Sequence, residues 1–219
     1  MVGLIQNVGE SLKYGFAQCY TDGIKGFLRM LALLVLSIIP IVFFIPMGIF
    51  LKVFRGEKPD FTNAGQSFIR GLLSFVIALI YMLIPIILLA IFGGLGAIPA
   101  IFGGDPGAIA GALVGSVGVI VALIAAVLLM IVAIPAEINF ARNGFAAAFK
   151  FSEIFGMIAK AGVAKYILSY IILIIVSFII GMILCLIGMI PVVGIIVALL
   201  VAIPLTFFEY RYWANRFEA

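Results

Sequence analysis

The stretch YILSYIILIIVSFIIGMILCLIGMIPVVGIIVALLVAIPLTFF, from Tyr166 to Phe208, runs for 43 residues without a charge. A bilayer core about 30 Å thick takes roughly 20 apolar helical residues to cross. The run is therefore too long for one crossing and long enough for two, with Gly188 and Pro191 supplying the turn. It predicts spans over Tyr166–Ile187 and Val192–Phe208. Three further charge-free runs lie upstream: Met30–Leu51, Gly71–Gly104 and Pro106–Ala136. The Gly71 run reads as a helix to about Phe92. A connection rich in glycine and proline then follows through Gly93, Gly94, Gly96, Pro99, Gly103, Gly104, Asp105, Pro106 and Gly107. The next helix is expected over Ala112–Ala136. Five spans result, near residues 30–51, 71–92, 112–136, 166–187 and 192–208. They make one all-α, polytopic transmembrane bundle, read as a single integral membrane domain over 1–219. Pro40 and Pro46 leave a second option for 30–51, a broken, re-entrant hairpin.

Composition points the same way. Of 219 residues 66% are apolar and 10% charged, against about 45–50% and about 25% in soluble domains. Mean hydropathy is +1.40. Thirteen Lys and Arg against nine Asp and Glu give +4, a bias too small to argue for nucleic acid. With no histidine and only Cys19 and Cys185, His-based metal sites, His-ligated haem and His-containing triads are excluded.

Residues 1–26 are not a secretory signal, since Glu10, Lys13, Asp22 and Lys25 interrupt any apolar core. Leu4, Ile5, Val8, Leu12 and Phe16 recur at helical spacing opposite Gln6, Asn7, Glu10 and Lys13. That pattern fits an amphipathic helix lying in the interface or packed on the protein's own loops. Threading five spans places segments 52–70, 137–165 and 209–219 on one side. Ten basic residues fall there, leaving Lys13, Lys25 and Arg29 on the other. The positive-inside rule makes the basic side, with the C-terminus, cytoplasmic in the cell membrane. The N-terminus comes out external unless the first span is a hairpin.

Three helices approach the basic side through Ile-Pro pairs, Ile45-Pro46, Ile134-Pro135 and Ile203-Pro204, and Arg142 and Arg211 each follow their proline by seven residues. Pro46, Pro135 and Pro204 are candidate kinks, and an arginine two turns on can snorkel to headgroups. Gly107, Gly111 and Gly115, four apart, form a small-residue stripe suited to a neighbouring span or to self-association.

Chemistry is sparse. The apolar runs hold no ionisable group, whereas ion-coupled transporters place polar sites near mid-membrane. No P-loop, dinucleotide fingerprint or nucleophile elbow occurs, and neither cysteine has a CxxC partner. The sequence therefore nominates no catalytic residue, no metal ligand and no cofactor. Glu137, Asn139 and Arg142 after one proline, with Glu209 and Arg211 after another, form a candidate polar cluster at the cytoplasmic interface, fit for a lipid headgroup or for plain interfacial ion pairing. Tyr210, Tyr212 and Trp213 beside Arg211 and Arg216 read as an aromatic and basic belt.

The segment Gly48-Ile-Phe-Leu-Lys-Val-Phe-Arg-Gly-Glu-Lys-Pro-Asp-Phe61, then Phe68-Ile-Arg-Gly71, Tyr81 and Ile84-Pro85, is followed later by Pro135-Ala-Glu-Ile-Asn-Phe-Ala-Arg-Asn-Gly-Phe145, Ala148-Phe-Lys-Phe-Ser-Glu-Ile154 and Tyr166. Over about residues 25–212 this resembles the polytopic membrane family called domain of unknown function 4013. It is more distantly similar to membrane domains attached to glycerophosphodiester phosphodiesterases. Ala64-Gly65 stands where an aromatic often follows the Pro-Asp-Phe element. The resemblance implies a membrane bundle with an amphipathic element between spans three and four, here Phe145–Ala159. It carries no catalytic or binding residue. The expected function is a non-enzymatic scaffold or accessory subunit, with membrane lipids or another membrane protein as partners. The alternative is a component of a transporter or channel for an apolar or weakly polar solute.

Overall fold

A computed structural model describes residues 3–102 and 104–218, apart from the side chains at 99, 100 and 191. Residues 1, 2, 103 and 219, which fall in the expected N-terminal helix, the glycine-rich connection and the last basic segment, lie outside it. Most of the described residues are helical, with no strand among them. In order they form α1 (Leu4–Tyr20), α2 (Ile24–Ile38), α3 (Phe44–Phe54), α4 (Ala64–Phe102), α5 (Gly104–Asn143), a 3-10 turn (Phe145–Phe149), α6 (Phe151–Ala161), α7 (Val163–Gly188) and α8 (Pro191–Phe217). Among them α4, α5, α7 and α8 are long and apolar enough to cross a bilayer. Their outer surfaces agree: α7 leaves Ile174, Phe178, Met182 and Leu186 exposed, a surface that water would not tolerate.

Met30–Leu51 is not one span. α2 ends at Ile38 because Ile39, ahead of Pro40, takes an extended conformation (φ −83°, ψ 118°), as proline requires of its predecessor. Pro46 then sits in the first turn of α3, where a missing N–H leaves no helical bond unmade. It begins a helix instead of kinking one. The helix is broken between α2 and α3, and four helices, not five, have the length and apolar character of a crossing.

The glycine-rich connection is also corrected, because α4 continues to Phe102 and α5 begins at Gly104. In hydrocarbon a backbone released from a helix finds no water to bond, so the penalty for glycine is overridden. The helices comprise two compact units, one of Met1–Ser74 with Pro135–Ala219, the other Phe75–Ile134. Within the second unit α4 and α5 pair closely. A Cβ on Gly96 would lie 2.7 Å from the Gly111 carbonyl and 3.2 Å from the Gly115 nitrogen. The Gly111 and Gly115 part of the small-residue stripe is thus met by the chain's own α4, and Gly107 is buried.

The first unit is organised around α8. α1 runs antiparallel to it: Asn7 meets Tyr212 and Asn215, Gly15 abuts Pro204 and Phe208, and Tyr20 reaches Leu200. Residue 7 therefore lies beside the end of α8 that carries Arg216, not at the opposite end. The face α1 buries is offset from its apolar stripe, whose Leu4, Val8 and Leu12 are half-buried at its edge. Asn7, Ser11, Gly15 and Cys19 are buried, while Ile5 and Phe16 are exposed. Small and polar groups pack helix on helix when the apolar face is left to lipid. Asn7 Nδ2 donates to the Tyr212 carbonyl (3.1 Å), Asn215 Nδ2 donates to Asn7 Oδ1 (2.8 Å), and the Tyr212 hydroxyl donates to the Ser169 carbonyl (2.9 Å). These bonds tie α1, α8 and α7 together. Tyr212 and Trp213 are buried here, with the Trp213 ring 4.6 Å from Tyr170 and 5.7 Å from Tyr166. They form core, not a surface belt.

Pro135 and Pro204 both lie inside helices. Pro204 lacks an N–H, which orphans the Leu200 carbonyl four residues earlier. The Tyr20 hydroxyl donates to that oxygen at 2.7 Å, so α1 closes the gap the proline opens. Tyr20→Phe is expected to cost about 1–2 kcal/mol. The cost should fall in a Pro204→Ala background, where the alanine N–H takes the carbonyl. A double-mutant cycle on thermal midpoints measures this, and equal cost in both backgrounds would refute the pairing.

Candidate functional site

The polar end of the first unit is built by the last turns of α3, α5 and α8, the first turns of α4, and α6. At the C-terminus of α3, Lys52 sits in an apolar helix with no acidic residue a turn away. A buried ammonium must find acceptors elsewhere, and it folds the following loop to do so. Lys52 Nζ donates to the carbonyls of Asp60 and Thr62 (each 2.8 Å) and to the Asp60 carboxylate (3.0 Å). The Thr62 hydroxyl also donates to that carboxylate. This bond, and then Lys52, hold the Asp60 carboxyl down to about 2 from an ordinary 3.8. The lysine was no sequence-level site candidate, yet a lone Lys inside GIFLKVF is the signal that finds it. Beside it Arg55 clasps Glu57 with two bonds, 2.6 and 2.8 Å. This pairing lowers the Glu57 carboxyl below its usual range.

The expected polar cluster is divided. Glu137 Oε1 accepts from the Ser74 hydroxyl (3.0 Å) and the Tyr210 hydroxyl (3.4 Å), so it bonds to α4 and α8 and not to Arg142. Asn139 Nδ2 donates to the Ala147 carbonyl (2.8 Å) and to Glu153 (3.1 Å), and its Oδ1 accepts from Asn143 (2.6 Å). Asn139 thereby moors the 3-10 turn and α6, the amphipathic element expected over Phe145–Ala159, whose Ile154 and Ile158 turn inward. Gly162, at φ +82°, makes the reversal from α6 into α7 that a side chain would resist. Arg142 Nε donates to the Phe54 carbonyl (2.9 Å) and Nη1 to the Phe217 carbonyl (3.1 Å). Arg211, its counterpart in the Ile-Pro repeat, pairs with Glu218 (3.1 Å) and lies 5.2 Å over the Tyr14 ring. Glu209 is exposed and joins none of these groups.

Three adjoining pockets open at this end. One, of about 200 Å³, lies over the Lys52 loop and includes Lys58 and Arg70. Another, of about 470 Å³, is enclosed by the ends of α5 and α8 and by α6. A third shares Arg55 with the first and Arg142, Phe217 and Glu218 with the second. Together they form a trench in which Lys and Arg outnumber Asp and Glu. Arg216 was missed as a site residue because its position beside Trp213 suggested a surface belt. It is only 7% exposed, and its Nε and Nη2 have no hydrogen-bond partner. Among the described residues no three cysteine or carboxylate side chains gather as a metal ligand set.

The family model described as "Protein of unknown function (DUF4013)" matches residues 32–190. The chain belongs to this family. The match takes in the Lys52 loop, Glu137, Asn139, Arg142 and α6, and leaves α1 and all of α8 outside it. No curated protein and no solved structure matches the chain, and no match supports the more distant likeness to glycerophosphodiester phosphodiesterase membrane domains.

Proposed function

We propose that this family member is a non-catalytic membrane scaffold or accessory subunit. Its basic end faces the cytoplasm of the cell membrane and holds anionic lipid or the acidic surface of a membrane partner. The supporting observation is the confluence of the three pockets where α3, α5 and α8 end, with Arg142 and Arg216 at their heart. Threading α4, α5, α7 and α8 as crossings adds to it. Segments 52–63, 144–162 and the end of α8, with the helix ends beside them, then fall on one side and carry ten of the thirteen Lys and Arg, while the links α4–α5 and α7–α8 have no Lys or Arg beside them. The positive-inside rule turns the basic side to the cytoplasm. A gate at the Ile-Pro pairs is the weaker reading, because Tyr20 pins the carbonyl that Pro204 releases and Pro46 starts a helix.

The test is purification of the full chain in mild detergent, followed by mass spectrometry of what stays bound. Retained anionic lipid or a reproducible partner protein is the expected result. A lone protein with neither would overturn the reading.

A further inference from the structure

We infer that the 470 Å³ pocket between α5, α6 and α8 is a binding site for a phosphate group, with Arg216 as its central ligand. The pocket is lined by three cations, Arg142, Lys160 and Arg216, and by the amides of Asn139 and Asn143. None of the three cations lies within ion-pair distance of a carboxylate among the described residues. The two carboxylates of the pocket are committed elsewhere, Glu153 to Lys150 and Asn139, and Glu218 to Arg211. Arg142 commits Nε and Nη1 to two main-chain carbonyls.

Arg216 is the unexplained group. A guanidinium that is 93% buried, with Nε and Nη2 both unsatisfied, is costly unless an anion completes it. Nε and one Nη of a guanidinium form the fork that matches two oxygens of a phosphate; both atoms are closed to solvent in the unliganded chain, so a turn of the Arg216 side chain toward the pocket it lines accompanies binding. A carboxylate would fit one fork, but a phosphate has further oxygens for Lys160 and for the second N–H of the Asn143 amide, whose first goes to Asn139. The two sources of such a group are a lipid headgroup and free phosphate. Phe151 and Phe155 are exposed on α6, the helix that lends Met157 and Lys160 to the pocket, and an exposed apolar face on that helix suits a headgroup whose acyl chains stay in the bilayer.

This inference deepens the lipid-holding reading above and is tested separately from it. The full chain in non-ionic detergent is titrated with short-chain phosphatidic acid, inorganic phosphate and diacylglycerol. Thermal midpoint and native mass spectrometry are the readouts. Phosphatidic acid is expected to raise the midpoint and bind, and diacylglycerol to do neither. Arg216→Met should weaken binding about tenfold or more, with an unliganded midpoint equal to or above the wild-type value, because an unpaired buried charge has been removed. Should that variant not fold, Lys160→Gln, at an exposed position, carries the same test with a smaller loss. Protection by inorganic phosphate as strong as by phosphatidic acid assigns the site to free phosphate; protection by the lipid alone assigns it to a headgroup. Either supports the site. Binding unchanged in Arg216→Met, or no protection by either probe, overturns it. If co-purification finds neither lipid nor a partner protein while inorganic phosphate still protects, the scaffold reading fails and the site stands.

Discussion

Gly48→Ala is expected to lower the thermal midpoint of the detergent-purified chain by roughly 10 °C, while Gly94→Ala leaves it unchanged or raises it. Helix propensity would rank the two together, since alanine exceeds glycine by about 1 kcal/mol inside any helix. Geometry separates them. A Cβ on Gly48 would fall on the main-chain carbonyl of Ser67, and one on Gly71 would fall on that of Phe44. α3 and α4 thus cross backbone to backbone through a reciprocal pair of glycines. No rotamer change relieves a collision with a carbonyl, so the helices must separate. Overpacking costs about 1–3 kcal/mol even where side chains can adjust, and each kcal/mol is worth about 2–4 °C in a chain of this size. Around Gly94 nothing lies within 4 Å, so only propensity acts there. Equal shifts for the two substitutions would show that the crossing is looser than the geometry requires.

This crossing explains how much of the fold the sequence discloses. The charge-free runs disclose α5, α7, α8 and the body of α4, because transfer from water to lipid depends on composition summed over about 20 residues. The ends of α4 and α5 are not disclosed. Gly93 through Gly107 carry the signal of a turn in water, but in the folded chain they continue the helices, and Gly96 among them serves close approach to α5. For α1 the periodicity is legible, but the face that meets α8 is offset from it. Leu4, Val8 and Leu12 recur as a core face would, yet Asn7, Ser11, Gly15 and Cys19 meet α8. An amphipathic pattern tells the two faces of a helix apart, but whether the apolar one meets protein or lipid depends on the surrounding solvent. The candidate site is disclosed in type and not in grouping. Basic residues cluster at helix ends as the sequence suggests, but Glu137, Asn139 and Arg142 stand on one helix at different angles. Each turns to a different neighbour, and no one-dimensional spacing supplies those neighbours.

Arg142 and Arg211 test that distinction, because the sequence treats them alike, each seven residues past an Ile-Pro pair, and the structure does not. Arg142→Ala is expected to cost about 2–3 kcal/mol and Arg211→Ala less than about 1 kcal/mol. Arg142 stands where three helices end together: α5 at Asn143, α3 at Phe54 and α8 at Phe217. Its guanidinium donates to the last carbonyls of α3 and α8, groups with no partner inside their own helices. The cation also faces the negative poles of the helix dipoles. Hydrogen bonds from a charged donor contribute about 1.5–3 kcal/mol each, discounted here for an open pocket on one side. Arg211 loses one ion pair with the half-exposed Glu218 and a stacking contact on Tyr14, interactions worth about 0–1 kcal/mol at a surface. Arg142→Lys separates charge from geometry. The ammonium keeps the favourable dipole interaction, but it is a point donor, and it cannot span carbonyls on two helices as a planar fork does. Its loss should fall between wild type and Arg142→Ala. Thermal midpoints of the three variants decide the matter. Equal losses for Arg142→Ala and Arg211→Ala would mean that the repeated spacing, and not the convergence of helix ends, sets what these arginines do.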